Sequence, residues 1–365
     1  MKILHTDIFR LSIKMQPFTI ATGTMEYAQN VFIRIHTDSG IYGVGECSAF
    51  PVITGETQET CLAVAKDFAK LWKGKDPSAI ERRLAELDLF IAGNRTIKSA
   101  FDMALYDIAA KTNGQPLYEY LGGKKKTIET DITIGIGDIG TMAEKALAFK
   151  NSGATCIKVK LGKEPEQDVA RMQKIREVVG DTIQLRIDAN QGWSFEEAQY
   201  ALTAMKDLQI QFCEQPMRAW NDDYLPELMA VSPVKIMADE SCYTHHDARR
   251  LIRAGACNYI NIKLVKSGGI CEAMKIHELA KQAGVACMLG GMLESRLALS
   301  AKLHFAYAAD NVIFHDMDTC LIGHLEDPVI NGAKYNGYFL DIDDLPGIGA
   351  DIDEDFLKAC DCWTI

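Results

Sequence analysis

The chain has no CxxC pair, no apolar run of membrane length and no excess of basic residues. Each absence removes a class of protein. Its eleven cysteines are spread from Cys47 to Cys362, and only Cys360 and Cys362 lie close together. An odd, scattered set reads as reduced core thiols rather than a disulfide scaffold. The opening stretch MKILHTDIFRLSIKM alternates apolar and polar residues like a strand and holds no signal-peptide core, so a cytoplasmic location without a membrane partner is expected. A net charge of −11 argues against a nucleic-acid partner, because phosphate binding needs clustered Lys and Arg. What remains is an ordinary globular composition, 48% hydrophobic and 24% charged. A length of 365 residues calls for two domains or one large barrel.

Residues 1–125 read as one α+β unit. The segments ILHTDIFRLSI, NVFIRIHTDSG and IYGVGECS are strand-like, the last two joined by a DSG turn. Three helical patterns follow: TQETCLAVAKDFAKLWKG, AIERRLAEL and TIKSAFDMALYDIAAKTNG. From Thr130 the character changes. Short β-rich segments centre near residues 133, 158, 186, 213, 237, 262, 288 and 314, with amphipathic helical stretches between them. Eight strands alternating with helices at this period predict a (β/α)8-type barrel over residues 126–320. After the eighth strand the pattern lapses, so the last helix is expected to be missing. Residues 321–365 are then expected to return to the N-terminal unit. GIGDIG, from Gly135 to Gly140, matches GxGxxG. The next strand ends in lysines, not in the acidic residue a dinucleotide site wants, so it reads as a barrel loop.

In such a barrel the chemistry gathers at the C-terminal ends of the strands. Those ends carry Lys158 and Lys160 (second strand), Asp188 and Asn190 (third), Glu214 (fourth) and Asp239 with Glu240 (fifth). Lys263 ends the sixth strand, Glu294 follows the seventh, and Asp316 and Asp318 follow the eighth. Asp188, Glu214 and Asp239 fall on consecutive strands, and three converging carboxylates repel one another unless a cation lies between them. Hard oxygen donors favour Mg²⁺ over zinc. Lys263 lies four strands from Lys160, so the two amines should face each other across the mouth. Burial beside other cations is expected to lower a lysine's pKa and make it a base. A Schiff-base lysine is the other chemical reading, but it gives no reason for three acids. Solvated loop acids and structural ion pairs remain the plain alternatives.

This constellation resembles the enolase superfamily, and within it the muconate-lactonizing enzyme subgroup. The KxK of the second strand, the Asp, Glu and Asp of strands three to five, and the first Lys of KLVKSGG carry the resemblance, which spans nearly the whole chain. It implies an α/β protein: a modified (β/α)7β barrel of the TIM type under an N-terminal α+β capping domain. Superfamily sites use a Lys or His base with Mg²⁺ stabilising an enediolate. HDMD, with Asp316 and Asp318, is similar to the DxD signature of dipeptide epimerases, where two carboxylates would take the free ammonium of a dipeptide. The resemblance implies Mg²⁺ on Asp188, Glu214 and Asp239, and 1,1-proton transfer by Lys160 and Lys263. Lys158 is implied to stabilise developing negative charge; Glu294 and Asn190 are implied to lie near the substrate. Substrate side chains would be read by MQPFTIATGTMEY and AFPVITGE, with Gly23, Met25, Phe50 and Ile53 in the binding set. Some similar epimerases carry an arginine near the position of Gly23 to pair with a glutamate side chain. Residues 15 to 30 contain no Lys or Arg here, so Phe18, Ile20, Met25, Phe50 and Ile53 point to a small or hydrophobic C-terminal residue. The other reactions of the subgroup (N-acylamino-acid racemisation, o-succinylbenzoate synthesis, cycloisomerisation) and a non-enzymatic barrel are the competing readings. The preferred dipeptide, the pathway and association into a homo-oligomer stay open.

Overall fold

The structure, a computed structural model, describes all residues from Met1 to Ile365. It opens with an antiparallel meander of β1 (Ile3–Ile20), β2 (Gly23–Thr37) and β3 (Tyr42–Ser48). Both long strands run past the predicted segments. MQPFTIATGTMEY is therefore not a loop but the far end of a hairpin, pairing Phe18 with Met25, Thr19 with Thr24 and Ile20 with Gly23. The register shifts between Lys14 and Phe18, and such a bulge turns the ribbon out of the plane of its sheet. Three helices follow where expected: α1 (Gln58–Trp72), α2 (Ile80–Phe90) and α3 (Arg95–Thr112). Thr57 and Thr60 cap α1 reciprocally, which satisfies backbone groups at its free end. β3 can press on α3 because it carries glycines at the contact: a Cβ on Gly45 would lie 1.9 Å from the Ala100 carbonyl oxygen.

Eight parallel strands then hydrogen-bond in sequence order. They are Ile132–Ile134, Cys156–Lys160, Gln184–Asp188, Ile210–Glu214, Ile236–Ala238, Tyr259–Ile262, Ala286–Leu289 and Val312–His315. The sheet is brought round by bonds at the edges of its first and last strands, mostly from residues just outside them: Asp131 N donates to the His315 carbonyl (3.1 Å) and Met317 N to Thr130 Oγ1 (2.8 Å). Strand alternation sets the interior. One layer is apolar, with Phe212, Met237, Met288 and Phe314 in one cluster and the Arg186 guanidinium over two of the rings. Two residues further along the same strands stand Glu214, Asp239, Gly290 and Asp316. One end of the barrel is thus plugged and the other is charged.

GIGDIG ends as the start of the helix Ile139–Asn151, where the Asp138 side chain accepts from Thr141 N; the motif is a helix entry. The eighth helix is reduced to Thr319–Ile322. The tail does return: Cys362–Thr364 pairs antiparallel with β1, with Thr364 opposite Asp7. No helix is long and apolar enough to cross a membrane. All eleven cysteines are free thiols.

Candidate active site

Strand ends and the loops beyond them build the charged mouth. Asn190, Gln191 and Gln215 have positive φ (41°, 66° and 34°), a left-handed backbone that non-glycine residues adopt at some cost and that clusters at functional sites. The strain is held by specific bonds. Asn190 N donates to Asp188 Oδ1 (2.8 Å), while the Gln215 amide accepts from Asp239 N and Ser241 N, stapling the fourth strand end to the fifth. Gly162 and Gly192 let the loops after strands two and three cross: a Cβ on Gly192 would lie 2.0 Å from the Gly162 carbonyl oxygen.

The ion pairs form a closed set. Lys158 Nζ, wholly buried, lies 2.5 Å from Glu214 Oε2, 2.8 Å from Asp316 Oδ2 and 3.4 Å from Asp188 Oδ2. Lys160 Nζ donates to Asp188 Oδ2 (2.6 Å), and Lys263 Nζ to Asp239 Oδ2 (2.6 Å). Lys266, also fully buried, bonds the other oxygen of Asp239 (2.7 Å) and the Asp239 and Asn261 carbonyls. Asn261 Nδ2 donates to Glu214 Oε1 (2.5 Å).

These contacts decide the electrostatics. Burial alone would lower Lys263, but attraction to Asp239 and Glu214 outweighs it and raises the lysine above its ordinary value. Lys158 is raised in the same way by Asp316, Glu214 and Asp188. The expected lowering of a lysine pKa by neighbouring cations is therefore not what this arrangement produces; each of these two amines faces carboxylates. Asp188 and Asp239 are held low against the pull of burial, by Lys160 in one case and Lys263 and Lys266 in the other. Glu214 moves the opposite way, pushed up to about 8 by burial and by the charge of Asp188. Burial and Asp239 also push Glu240 up to about 7.

The donor set fits a divalent cation. Asp188, Glu214 and Asp239 offer hard oxygens from adjacent strand ends, and even with lysines among them Glu214 is not fully compensated. Glu240 Oε2 and Asn190 Oδ1 are buried at the same mouth without a hydrogen-bond partner. Oxygen donors with unspent lone pairs in an under-neutralised pocket suit Mg²⁺. A second acidic set, Asp131, Asp316 and Asp318, brings its oxygens within 4.8 Å of one another. Two of its members already have cations: Asp131 bonds Arg186 (2.7 Å) and Asp316 bonds Lys158. Asp318 Oδ2 accepts from Thr133 N (2.6 Å), and burial together with Asp316 raises its carboxyl well above the usual range. Asp318 alone of the three has no cation.

Above the ion pairs lies a cavity with about 530 Å³ of empty space, part of it continuous with open solvent. Lys160, Lys263, Asn190, Asp316 and Asp318 form its polar floor, and Met25, Phe50 and Ile53 with Phe18 and Ile20 form its apolar roof. Not every residue of the sequence-derived set lines it. Lys158, Asp188, Glu214 and Asp239 lie beneath, and Gly23 lines an adjoining, more open cavity with Met25 and Phe50. Lys158 thus has no share of the wall, because three carboxylates draw its ammonium down. Glu294 is turned away: it pairs with buried Lys302 (2.8 Å) and accepts from Met292 N, so it shapes the loop whose Met292 and Leu293 reach the cavity. Lys266, Gln215, Asn261 and Lys302 escaped the sequence reading. Lys266 stands in KLVKSGG itself, three residues from Lys263, and one helical turn brings both amines to Asp239.

Residues 4–122 match the family described as mandelate racemase / muconate lactonizing enzyme, N-terminal domain, and residues 141–356 match the enolase C-terminal domain-like family. The chain is 42% identical to the D-Ala-D/L-Ala epimerase of Cytophaga hutchinsonii, over 98% of each chain. It is 37% identical to the L-Ala-D/L-Glu epimerase of Clostridium acetobutylicum, over 94% of this chain and 96% of that one. A crystal structure of dipeptide epimerase from Cytophaga hutchinsonii, complexed with Mg and the dipeptide D-Ala-L-Val, superimposes with a TM-score of 0.98 over the whole of both chains at 42% identity. By its matched domains, its fold and its whole-length relatives, the chain belongs to the mandelate racemase and muconate lactonizing enzyme family of the enolase superfamily.

Proposed function

We propose that this chain is a Mg²⁺-dependent dipeptide epimerase that inverts the α-carbon of the C-terminal residue of Ala-Xaa, Xaa being small or hydrophobic. One observation carries the reading. A single cavity has a lysine from the second strand and a lysine from the sixth, two carboxylates at Asp316 and Asp318, and an apolar roof without a basic residue. Two opposed amines suit removal of a proton from one face of a carbon and its return to the other. Two carboxylates suit the peptide's ammonium.

Asp188, Glu214 and Asp239 would hold the metal. Mg²⁺, when bound, supplies positive charge that competes for these carboxylates and favours negative charge on the substrate carboxylate as the α-proton leaves. Lys160 Nζ and Lys263 Nζ act as base and acid in turn, and the configuration of the substrate decides which comes first. Lys158 holds Glu214 and Asp316 in place and adds its charge from below. Asp316 and Asp318 anchor the ammonium, which sets the dipeptide's direction in the cavity. Phe18, Ile20, Met25, Phe50 and Ile53 exclude water and leave no partner for a glutamate side chain. The C. acetobutylicum relative is named for Glu, the C. hutchinsonii one for Ala. The roof sides with the latter. A cytoplasmic place in peptide metabolism agrees with eleven free thiols.

The test is a library of dipeptides incubated with the protein and Mg²⁺ in D₂O, read by mass. Deuterium should enter the C-terminal residue's α-carbon, faster for Ala-Ala and Ala-Val than for Ala-Glu. No deuterium in any dipeptide would remove the reading, and faster exchange of Ala-Glu would remove its specificity part. An N-acylamino-acid racemase is the nearest rival. Its substrates lack the ammonium that Asp316 and Asp318 call for.

A further inference from the structure

On the capping sheet, remote from the barrel mouth, β1 and β2 bring three ligating side chains together. His5 and Asp7 are two residues apart on β1 and so share a face. His36 on β2 is the cross-strand partner of His5, and Asp7 sits two pairs further along, opposite Arg34. Their nitrogen and carboxylate oxygen atoms all lie within 4.8 Å of one another, and all three residues are half-buried. His36 Nε2 is 2.9 Å from Asp7 Oδ2, and the two imidazole rings stack with centroids 4.3 Å apart. Thr364 Oγ1, on the returning C-terminal strand, donates to Asp7 Oδ1 (2.5 Å).

From this geometry we infer that His5, Asp7 and His36 form a second metal site, for a first-row divalent transition ion such as Zn²⁺, separate from the acids at the barrel mouth. The donor chemistry separates the two sites. Imidazole nitrogens with one carboxylate suit zinc and its neighbours, while the all-oxygen set at the mouth suits magnesium. The cluster also differs from Asp131, Asp316 and Asp318, whose charges are largely met by Arg186 and Lys158. Here Asp7 has His36 and a hydroxyl but no Lys or Arg ion pair. Zinc bonds of 2.0–2.1 Å in a tetrahedron put ligand atoms about 3.3 Å apart. The His36–Asp7 pair, 2.9 Å apart in a hydrogen bond, would have to open by a few tenths of an ångström, and His5, with its donor within 4.8 Å of both, would turn inward as the third ligand, leaving the fourth position to water. Because Asp7 also holds Thr364, an ion here would fasten the C-terminal strand to the sheet. The consequence is stability, not turnover.

The test uses the full chain with saturating Mg²⁺ and Zn²⁺ as the probe. Equilibrium dialysis should find one more Zn²⁺ bound to the native chain than to His5→Ala or His36→Gln. Zn²⁺ should raise the Tm of the native chain by a few degrees and leave those variants unmoved. Turnover with Mg²⁺ should be equal in all three proteins. His36→Gln breaks the bond to Asp7 and is exposed to misfolding; His5→Ala loses only a stacking contact, so it carries the comparison. Equal Zn²⁺ stoichiometry and an equal thermal shift in the native chain and folded His5→Ala would overturn the site.

Discussion

The two walls of the candidate active-site cavity differ in kind. The roof comes from the capping unit and holds only apolar side chains, Phe18, Ile20, Met25, Phe50 and Ile53. The floor comes from the barrel and is dominated by ionisable or amide groups, Lys160, Lys263, Asn190, Asp316 and Asp318. Their supports differ as well. Each floor lysine is locked to a carboxylate on a neighbouring or nearby strand, so its position follows from the rigid sheet. The roof rides on a hairpin end past a register shift and on the short helix Pro51–Thr54, with Phe50 at its entry. On the proposed reading the difference teaches a division of labour: proton transfer would belong to the barrel strands, and choice of side chain to the hairpin end of the capping sheet.

The sharpest way to break that division is to remove a floor amine. Lys160→Ala and Lys263→Ala should each lower kcat by 10²- to 10⁴-fold or more, with the fold intact by circular dichroism. Chelation of Mg²⁺ should abolish turnover in the native chain, and restoring the ion should recover it. Next in size is the ammonium anchor. Asp316→Asn with Asp318→Asn should cost about 2–5 kcal/mol in kcat/KM for dipeptides, the usual loss for one partner of a desolvated charge pair. An N-acylamino-acid activity that survived this change would mean the chain's reaction is the rival one.

The roof should respond in another currency. Ile53→Arg or Met25→Arg should shift the ratio of kcat/KM for Ala-Glu over Ala-Val upward by tenfold or more, while proton exchange persists. A loss of exchange with every substrate would show that the roof takes part in the chemistry. The smallest effect lies away from both walls. His304 accepts from Tyr118 N and bonds the Ile348 carbonyl, and burial lowers its pKa to about 4. Between pH 6.5 and about 4 the unfolded chain therefore binds the extra proton, so stability is complete above pH 6.5 and falls as pH drops through that window, by at most about 3 kcal/mol. His304→Gln should flatten that part of the denaturation profile and leave substrate ratios unchanged.

Much of the floor was legible because a barrel strand alternates. Phe212 and Glu214, Met237 and Asp239, and Phe314 and Asp316 repeat one arrangement, an apolar residue in the plug and an acid two positions later at the mouth. The period exposed the strands and the acids exposed their ends. What stayed hidden depends on contacts between segments far apart in the chain. No local pattern shows that Lys302 turns Glu294 from the cavity, or that Lys158 sinks beneath it. In sequence the hairpin end looks like a loop because Gln16, Pro17, Thr19 and Thr22 interrupt its alternation; pairing with β2 and Gly323 supplies the hydrogen bonds that local sequence does not announce. The raised pKa of Lys158 is hidden for a related reason. Lys160 stands only two residues away in the sequence, whereas the carboxylates that outweigh its charge arrive from other strands.

The central claim is that Lys160 and Lys263 serve opposite faces of one α-carbon. It is tested most directly by following α-proton exchange of each epimer of Ala-Val in D₂O, with Mg²⁺, in Lys160→Ala and Lys263→Ala. Each variant should lose exchange from one epimer through the missing amine, and the two variants should lose opposite ones. A Lys160→Ala protein that still exchanged the α-proton of both epimers would contradict the account.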